Sequence, residues 1–261
     1  AGDTFTSRLP DPVLQQAALF GAPSTSVNVG FRAVVRYWDR ITHPAQVLSS
    51  LPQAIATMLD PADCGPAFIG LPQDTAAEAF DFPKEFFTTT VHTIARPRPS
   101  VDQVRSAIDL LKSAKAPVII AGGGVHYSLA EAQLAAFAAE HGIPVVETVA
   151  GKSSLLASDA NYLGPIGVTG AEATNTLVAE ADVVLAVGTR LQDFTTGSWT
   201  VFQPTTTIIG ANAARFDAIK HRSLPVVGDA RETLKELNSG LTGYHVPDAW
   251  TKRAEKLRAD F

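Results

Sequence analysis

The chain has 261 residues, 46% of them hydrophobic and 18% charged, which allows one large packed domain or two ordinary ones and excludes general disorder. Its 21 Lys and Arg against 26 Asp and Glu leave a formal charge of −5 with no basic run, a poor match to a nucleic-acid backbone. Cys64 is the single cysteine, so an intrachain disulfide and a cysteine metal site are both excluded, and no apolar run approaches the ~18 residues of a membrane span.

In chain order, a strand is expected at 34–38 and a helix at 44–59, with Pro44 suited to the first turn. A second strand is expected at 67–71, stopped by Pro72. So few elements do not close a parallel domain, and residues 1–85 read as the end of a larger α/β domain. Residues 86–99 lack a helical period and carry Pro97 and Pro99, which suits a linker. Residues 100–242 are regular. Apolar runs at 117–122, 143–148, 183–188, 206–211 and 224–228 read as strands buried on both faces. Between them, Val101, Val104, Ile108 and Leu111 recur at helical spacing, and Ser100 with Gln103, Ser128 with Glu131, and Asp229 with Glu232 have capping-box spacing. The second of these helices should end at His141-Gly142. Alternating strands and helices predict right-handed crossovers and a parallel, Rossmann-like sheet with ligand sites at its carboxyl edge. Residues 243–261 read as the start of a further linker. The chain begins at Ala1 without Met and stops inside a helical pattern, which is the expectation for a piece of a longer polypeptide. With no glycosylation sequon and no signal peptide, a cytoplasmic protein is expected.

Several loops could carry a ligand. Gly122, Gly123 and Gly124 join a strand to a helix, where bare backbone can admit a phosphate or ribose; equally, they can make a tight turn. The dinucleotide fingerprint is incomplete, because Tyr127 stands at its third glycine and only Glu147 is spaced as a ribose-binding carboxylate. Gly151-Lys152-Ser153 resembles the end of a phosphate loop, but Val146 stands where the first glycine belongs; Lys152 faces either an anion or solvent. Gly167 and Gly170 lie in a glycine-rich entry to a helix at 175–180, either as ligand donors or as a flexible connection. The loop from Gly188 through Arg190, Gln192, Asp193 and Trp199 is the least like a mere connector, although Arg190 and Asp193 could simply pair with each other. None of the six histidines has another three to five residues away, and Cys64 is expected to be a buried, inert thiol. Asp74, Glu147 and Asp193 are scattered acids that define no dyad. The residues by themselves describe an α/β protein with ligand-type loops and no visible catalytic apparatus.

The order of these motifs resembles the thiamine-diphosphate enzymes, which have a pyrimidine-binding, a middle and a diphosphate-binding domain. Residues 65–74, from Gly65-Pro66 to Pro72-Gln73-Asp74, are similar to the close of the first domain. Residues 116–125, Thr148-Val149-Ala150-Gly151-Lys152, Gly167-Val168-Thr169-Gly170, residues 181–190 and Gly228-Asp229-Ala230 follow in the order of the middle domain. Within that superfamily, segments 9–16, 36–41, 71–74, 78–81, 151–154 and 190–199 are similar to the branch that opens a cyclic 1,2-dione in inositol breakdown.

The resemblance implies water-dependent C–C cleavage, with a thiazolium ylide adding to a carbonyl as a covalent catalyst and holding the resulting carbanion. It implies thiamine diphosphate and Mg2+ as cofactors of the whole enzyme, with the activating glutamate upstream of Ala1 and the diphosphate and metal ligands downstream of Phe261. No catalytic or metal-binding residue is therefore expected in this chain, no cofactor is expected to be held by it, and it is expected to be inactive alone. A cyclic dione is the implied small-molecule partner, and a homodimer or homotetramer the implied assembly.

Some relatives of the acetolactate-synthase type hold FAD in the middle domain. The alternative implied by that likeness is an adenine-nucleotide (ADP or FAD) module using Gly122, Gly123, Gly124, Lys152, Gly167, Gly170, Gly188 and Arg190. Asn212 stands where those relatives carry an acidic strand end, which weakens this alternative. A third possibility is a structural spacer, with Phe68, Ile69, Phe80 and Phe82 expected to leave apolar surface uncovered.

Overall fold

The computed structural model describes residues 1–7, 19, 21, 22 and 24–259. The motif at 9–16 lies outside the described residues. The chain forms two compact units, Ala1–Ala95 and Arg96–Phe261.

The first unit is built on a short parallel sheet in the order β1 (Gly2–Asp3), β3 (Ala67–Pro72), β2 (Tyr37–Arg40). The strand expected at 34–38 begins instead at Tyr37. The chain before it winds into a 3₁₀ helix, Val27–Ala33, closed by the Val34 N–H donating to the Phe31 carbonyl. The helix expected at 44–59 divides into a 3₁₀ turn, Pro44–Gln46, and α1 (Val47–Met58). The turn is capped by His43 and by the Gln46 side chain. A short helix, α2 (Gln73–Ala76), follows β3.

Asp3 is fully buried and is held by the Arg40 guanidinium at 2.7 Å. Phe68 and Phe82 are half-buried rather than uncovered. Phe68 stacks on Phe31 (4.8 Å) and Trp38 (6.2 Å), and Phe82 packs against Phe80 and Phe86. Cys64 is exposed, contrary to its expected burial, because it lies in the turn between α1 and β3. The Asp60 carboxylate shapes that turn by accepting from the Ala62 and Asp63 N–H groups. An apolar groove of about 410 Å³ lies between α1 and the sheet, lined by Ile41, Val47, Leu51, Met58, Ile69 and Leu71.

The second unit runs α3 (Val101–Ser113), β4 (Pro117–Ala121), α4 (Gly124–Tyr127), α5 (Glu131–His141), β5 (Val145–Glu147), β6 (Tyr162–Pro165) and α6 (Glu172–Glu180). It continues through β7 (Val183–Val187), α7 (Asp193–Thr196), β8 (Thr207–Asn212), α8 (Arg215–Ile219), β9 (Leu224–Val227), α9 (Ala230–Gly240) and α10 (Asp248–Ala259). Its six strands are parallel in the order β6-β5-β4-β7-β8-β9, the doubly wound arrangement. Every residue of β4 and β7 is buried, which explains their continuous apolar sequence. Helices α3, α5 and α9 pack together, and α6 packs on α10. Between these helices and the sheet lie Leu111, Leu134, Phe137, Leu177, Leu185, Leu234 and Leu237, all fully buried. Each contributes on the order of 1.5–3 kcal/mol through burial.

Only one of the three anticipated N-terminal side-chain bonds fails outright. Ser100 accepts from the Gln103 N–H, and Asp229 accepts from Arg231 and Glu232. Ser128 does not cap α5. Its hydroxyl accepts from the Ala230 N–H, and Leu129 takes φ +52 to turn the chain into the helix. Glu131 turns away to His126. Gly142 ends α5 in the left-handed conformation, φ +67, as expected of a C-terminal glycine. The second unit extends beyond 100–242 on both sides. Arg96 pairs with Asp229, and Trp250 of α10 donates its indole N–H to the Pro117 carbonyl.

Candidate functional site

In an open α/β sheet the ligand crevice lies beyond the carboxyl ends of the strands, where the strand order reverses. Here that point lies between β4 and β7, and the loops that follow them hold Gly122–Gly124 and Gly188–Arg190. The two loops meet backbone to backbone. The Gly122 N–H donates to Val187 and the Gly124 N–H to the Gly188 carbonyl at 2.8 Å. A Cβ on Gly124 would lie 2.5 Å from Gly188 Cα, and one on Gly122 would lie 2.6 Å from Thr189 Cα. These glycines are thus required by the approach of the chain to itself. Gly123 rests against Ala150 of the loop after β5.

The loop after β5 is held from beneath by Glu147, which is nearly buried. One carboxylate oxygen accepts from the Ser153 N–H (2.8 Å) and the other from the Tyr162 hydroxyl (2.7 Å). Burial, then the Glu147 hydrogen bond, pushes the Tyr162 phenol upward, so it stays a neutral donor. Each oxygen of Glu147 thus accepts a bond from the chain itself. Lys152 is exposed, and its carbonyl meets His126 Nε2 at 2.9 Å. The other ring nitrogen, Nδ1, meets Glu131 at 2.8 Å.

The glycine-rich stretch after β6 is clamped by a side chain that the sequence pattern did not single out. Asn175 accepts from the Gly167 N–H and donates to the Gly167 carbonyl, both at 2.9 Å. Gly167 takes φ +97, and its neighbour Val168 donates to the Phe194 carbonyl, which ties this loop to the one after β7. Gly170 closes the turn by donating to Gly167. The helix they introduce begins at Glu172, three residues before its expected start.

Arg190 does not pair with Asp193. Its guanidinium reaches Asp217 of α8 at 3.5 Å, and Asp217 also takes Lys220 at 2.8 Å. Asp193 accepts from the Ser198 hydroxyl and so shapes its own loop. Three successive residues there, Gly197, Ser198 and Trp199, have positive φ. Trp199 packs on His221, whose ring centroid is 3.9 Å away. Asn212 bridges the ends of β7 and β8, donating to the Thr189 carbonyl and accepting from Ala214.

The structure therefore brings Gly122, Gly123, Gly124 and Gly188 together with the Lys152 loop, and Gly167 and Gly170 together with the segment that follows Arg190. Among the described residues no group of three or more His, Cys, Asp or Glu side chains could hold a metal ion. Among the described residues, no helix is long and apolar enough to cross a membrane. Asn175 acts on Gly167 eight residues earlier and Glu131 on His126 five residues earlier, spacings outside the i,i+3 and i,i+4 pairs of a helix, and His126 also reaches the Lys152 carbonyl in the loop after β5.

Over 242 residues, 93% of this chain and 38% of the relative, the sequence is 46% identical to the 3D-(3,5/4)-trihydroxycyclohexane-1,2-dione hydrolase of Listeria monocytogenes serotype 4b (strain F2365). It is 42% identical to the Bacillus subtilis (strain 168) protein of the same name, over 98% of this chain and 42% of that one. It is 38% identical to that of Lacticaseibacillus casei, over 98% and 41%. The chain spans about two fifths of the length of these curated relatives. Residues 104–237, the sheet and most of its helices, match the family described as thiamine pyrophosphate enzyme, central domain. The chain belongs to the thiamine pyrophosphate enzymes, with its second unit as their central domain.

Proposed function

We propose that this chain is the scaffold portion of a thiamine-diphosphate-dependent hydrolase that opens trihydroxycyclohexane-1,2-dione by hydrolysis of a ring C–C bond in inositol catabolism. The observation that carries this reading is 42–46% identity over 93–98% of the chain to proteins named for that hydrolysis. On this reading Mg2+ and the thiazolium are held by other parts of the whole enzyme, and this chain lends no ligand to them. What this chain supplies is geometry: a stiff sheet whose end loops are fixed by glycine contacts, Glu147, Asn175 and Asn212. On this reading Gly122, Gly124 and Gly188 serve the backbone, and Lys152 and Arg190 are the site side chains open to a ligand or a neighbouring domain. Thiamine diphosphate and Mg2+ belong to further domains of the whole enzyme, which is a cytoplasmic homo-oligomer acting on a small cyclic dione.

A chimera tests the proposal. The Bacillus subtilis relative is made with its matching stretch replaced by this chain. Retained ring opening of the dione with thiamine diphosphate and Mg2+ is expected. A folded chimera that binds thiamine diphosphate but leaves the dione intact, beside an active parent, would sink the substrate assignment. The chain alone is expected to show no turnover above blank. Calorimetry with ADP and FAD checks the adenine-nucleotide alternative, and no saturable heat is expected.

A further inference from the structure

His126 lies on α4, directly after the glycine turn of β4. Its two ring nitrogens face acceptors on two different segments. Nδ1 is 2.8 Å from Glu131 Oε1 at the start of α5, and Nε2 is 2.9 Å from the Lys152 carbonyl in the loop after β5. A carbonyl oxygen can only accept, and an ionised carboxylate can only accept. A neutral imidazole carries one N–H and satisfies one of them; the imidazolium satisfies both. The Lys152 segment is also held by Ser153, which takes φ +70 and donates to Glu147, and by the Gly151 and Ser154 N–H groups, which donate to Thr148 and Gly151.

We propose that His126, as the imidazolium, is a pH-responsive latch that fastens the Lys152 loop to the β4 glycine turn and opens when the ring gives up its Nε2 proton, the Nδ1–H staying with the ionised Glu131, the stronger acceptor. The charged groups around it support that state. Glu131 faces it directly. On α9, packed behind α4, Glu232 is engaged by Arg98, Arg231 and Lys235 and is not directed at the ring. The Glu131 hydrogen bond raises the His126 pKa above its usual 6.5, against a smaller opposing effect of burial. Burial acts to raise the Glu131 pKa, but hydrogen bonds, including the one from His126, bring it below 4.5. The latch is thus closed between these two values. Its contribution is complete at and below the unfolded histidine value while Glu131 remains ionised. It is lost as pH rises through the raised His126 pKa, and lost again as pH falls through that of Glu131. Both side chains are more than a third exposed, so added salt weakens the pair.

The inference needs no cofactor and stands apart from the reaction assigned above. Nitrogen-15 NMR of the chain's histidines tests it, together with amide exchange at residues 151–154 across pH 5–9. Both His126 ring nitrogens should carry protons at pH 6.5, and protection factors at 151–154 should fall at least threefold through the ring's titration. Glu131→Gln should lower the ring's pKa, and His126→Gln should abolish the pH dependence of protection while leaving that of distant amides unchanged. A single neutral tautomer at pH 6.5, or protection at 151–154 indifferent to the ring's titration, would overturn the latch.

Discussion

A methyl group at position 124 would have to occupy space already held by Gly188 Cα, 2.5 Å from where its carbon must go. Since the contact is backbone on backbone, no side chain can swing aside. Replacing a helical glycine by alanine ordinarily stabilises by roughly 0.4–1 kcal/mol through the unfolded chain. Here the overpacking cost, about 1–3 kcal/mol, should win. Gly124→Ala is therefore expected to lower the urea midpoint of the chain, and a raised midpoint would mean that the loops are farther apart than described. Asp74 presents a residue-scale effect of the opposite kind. Burial acts to raise its pKa, but the Thr6 hydroxyl and the N–H groups of Thr6, Ser7 and Thr75 all donate to it and bring it to about 2. A depressed acid stabilises the fold above its unfolded value, near 3.8, and this is lost as pH falls through about 2. Carbon-13 titration of the Asp74 carboxyl should show that low midpoint. Asp74→Asn should lower the protection factors of the Thr6 and Ser7 amides at pH 5 and make them insensitive to further acidification.

At the scale of elements, Trp250 anchors α10 to the sheet: it is buried and donates to the Pro117 carbonyl at 2.8 Å. Trp250→Phe keeps most of the packing but strands that carbonyl, at a cost of about 1–3 kcal/mol; Trp250→Ala adds a cavity and should cost about 3–5 kcal/mol. Denaturant melts of the two variants should separate in that order. Which elements could be read from the sequence follows the same physics. The five strands β4, β5, β7, β8 and β9 were legible because parallel strands covered on both faces must be continuously apolar. The edge strand β6 was not, since Tyr162-Leu163-Gly164-Pro165 offers little apolar run and contains the two residues that ordinarily argue against a strand. The start of α5 was misread because Ser128 had the right spacing, but its hydroxyl was taken by Ala230, a residue 102 positions away. In the site, the glycines at 122, 124 and 188 were visible as positions of bare backbone. That they face one another depends on the pairing of β4 with β7, which no local pattern encodes.

At the scale of the whole molecule, the two units differ in the extent of their sheets. Among its described residues the first has three strands, one of only two residues, and an apolar groove beside α1. The second has six paired strands and its own continuous core. A sheet of that size with helices packed on it can fold independently, whereas a short three-stranded sheet is marginal. The piece 96–261 should therefore unfold in one cooperative transition, with calorimetric and van't Hoff enthalpies in agreement. Its amino end sets a sharper test. The Arg96 guanidinium lies 3.0 Å from Asp229, whose backbone N–H donates to the Pro97 carbonyl while its side chain caps α9. Starting the piece at residue 100 removes both contacts and leaves the nearly buried Asp229 with its cap bonds but no counter-charge. The shorter piece should fold with the same sheet and be less stable by about 1.5–3 kcal/mol, the range for hydrogen bonds to a charged group. Equal urea midpoints for 96–261 and 100–261 would show that Arg96 and Pro97 only lie alongside the central domain, and that its folding unit begins at α3.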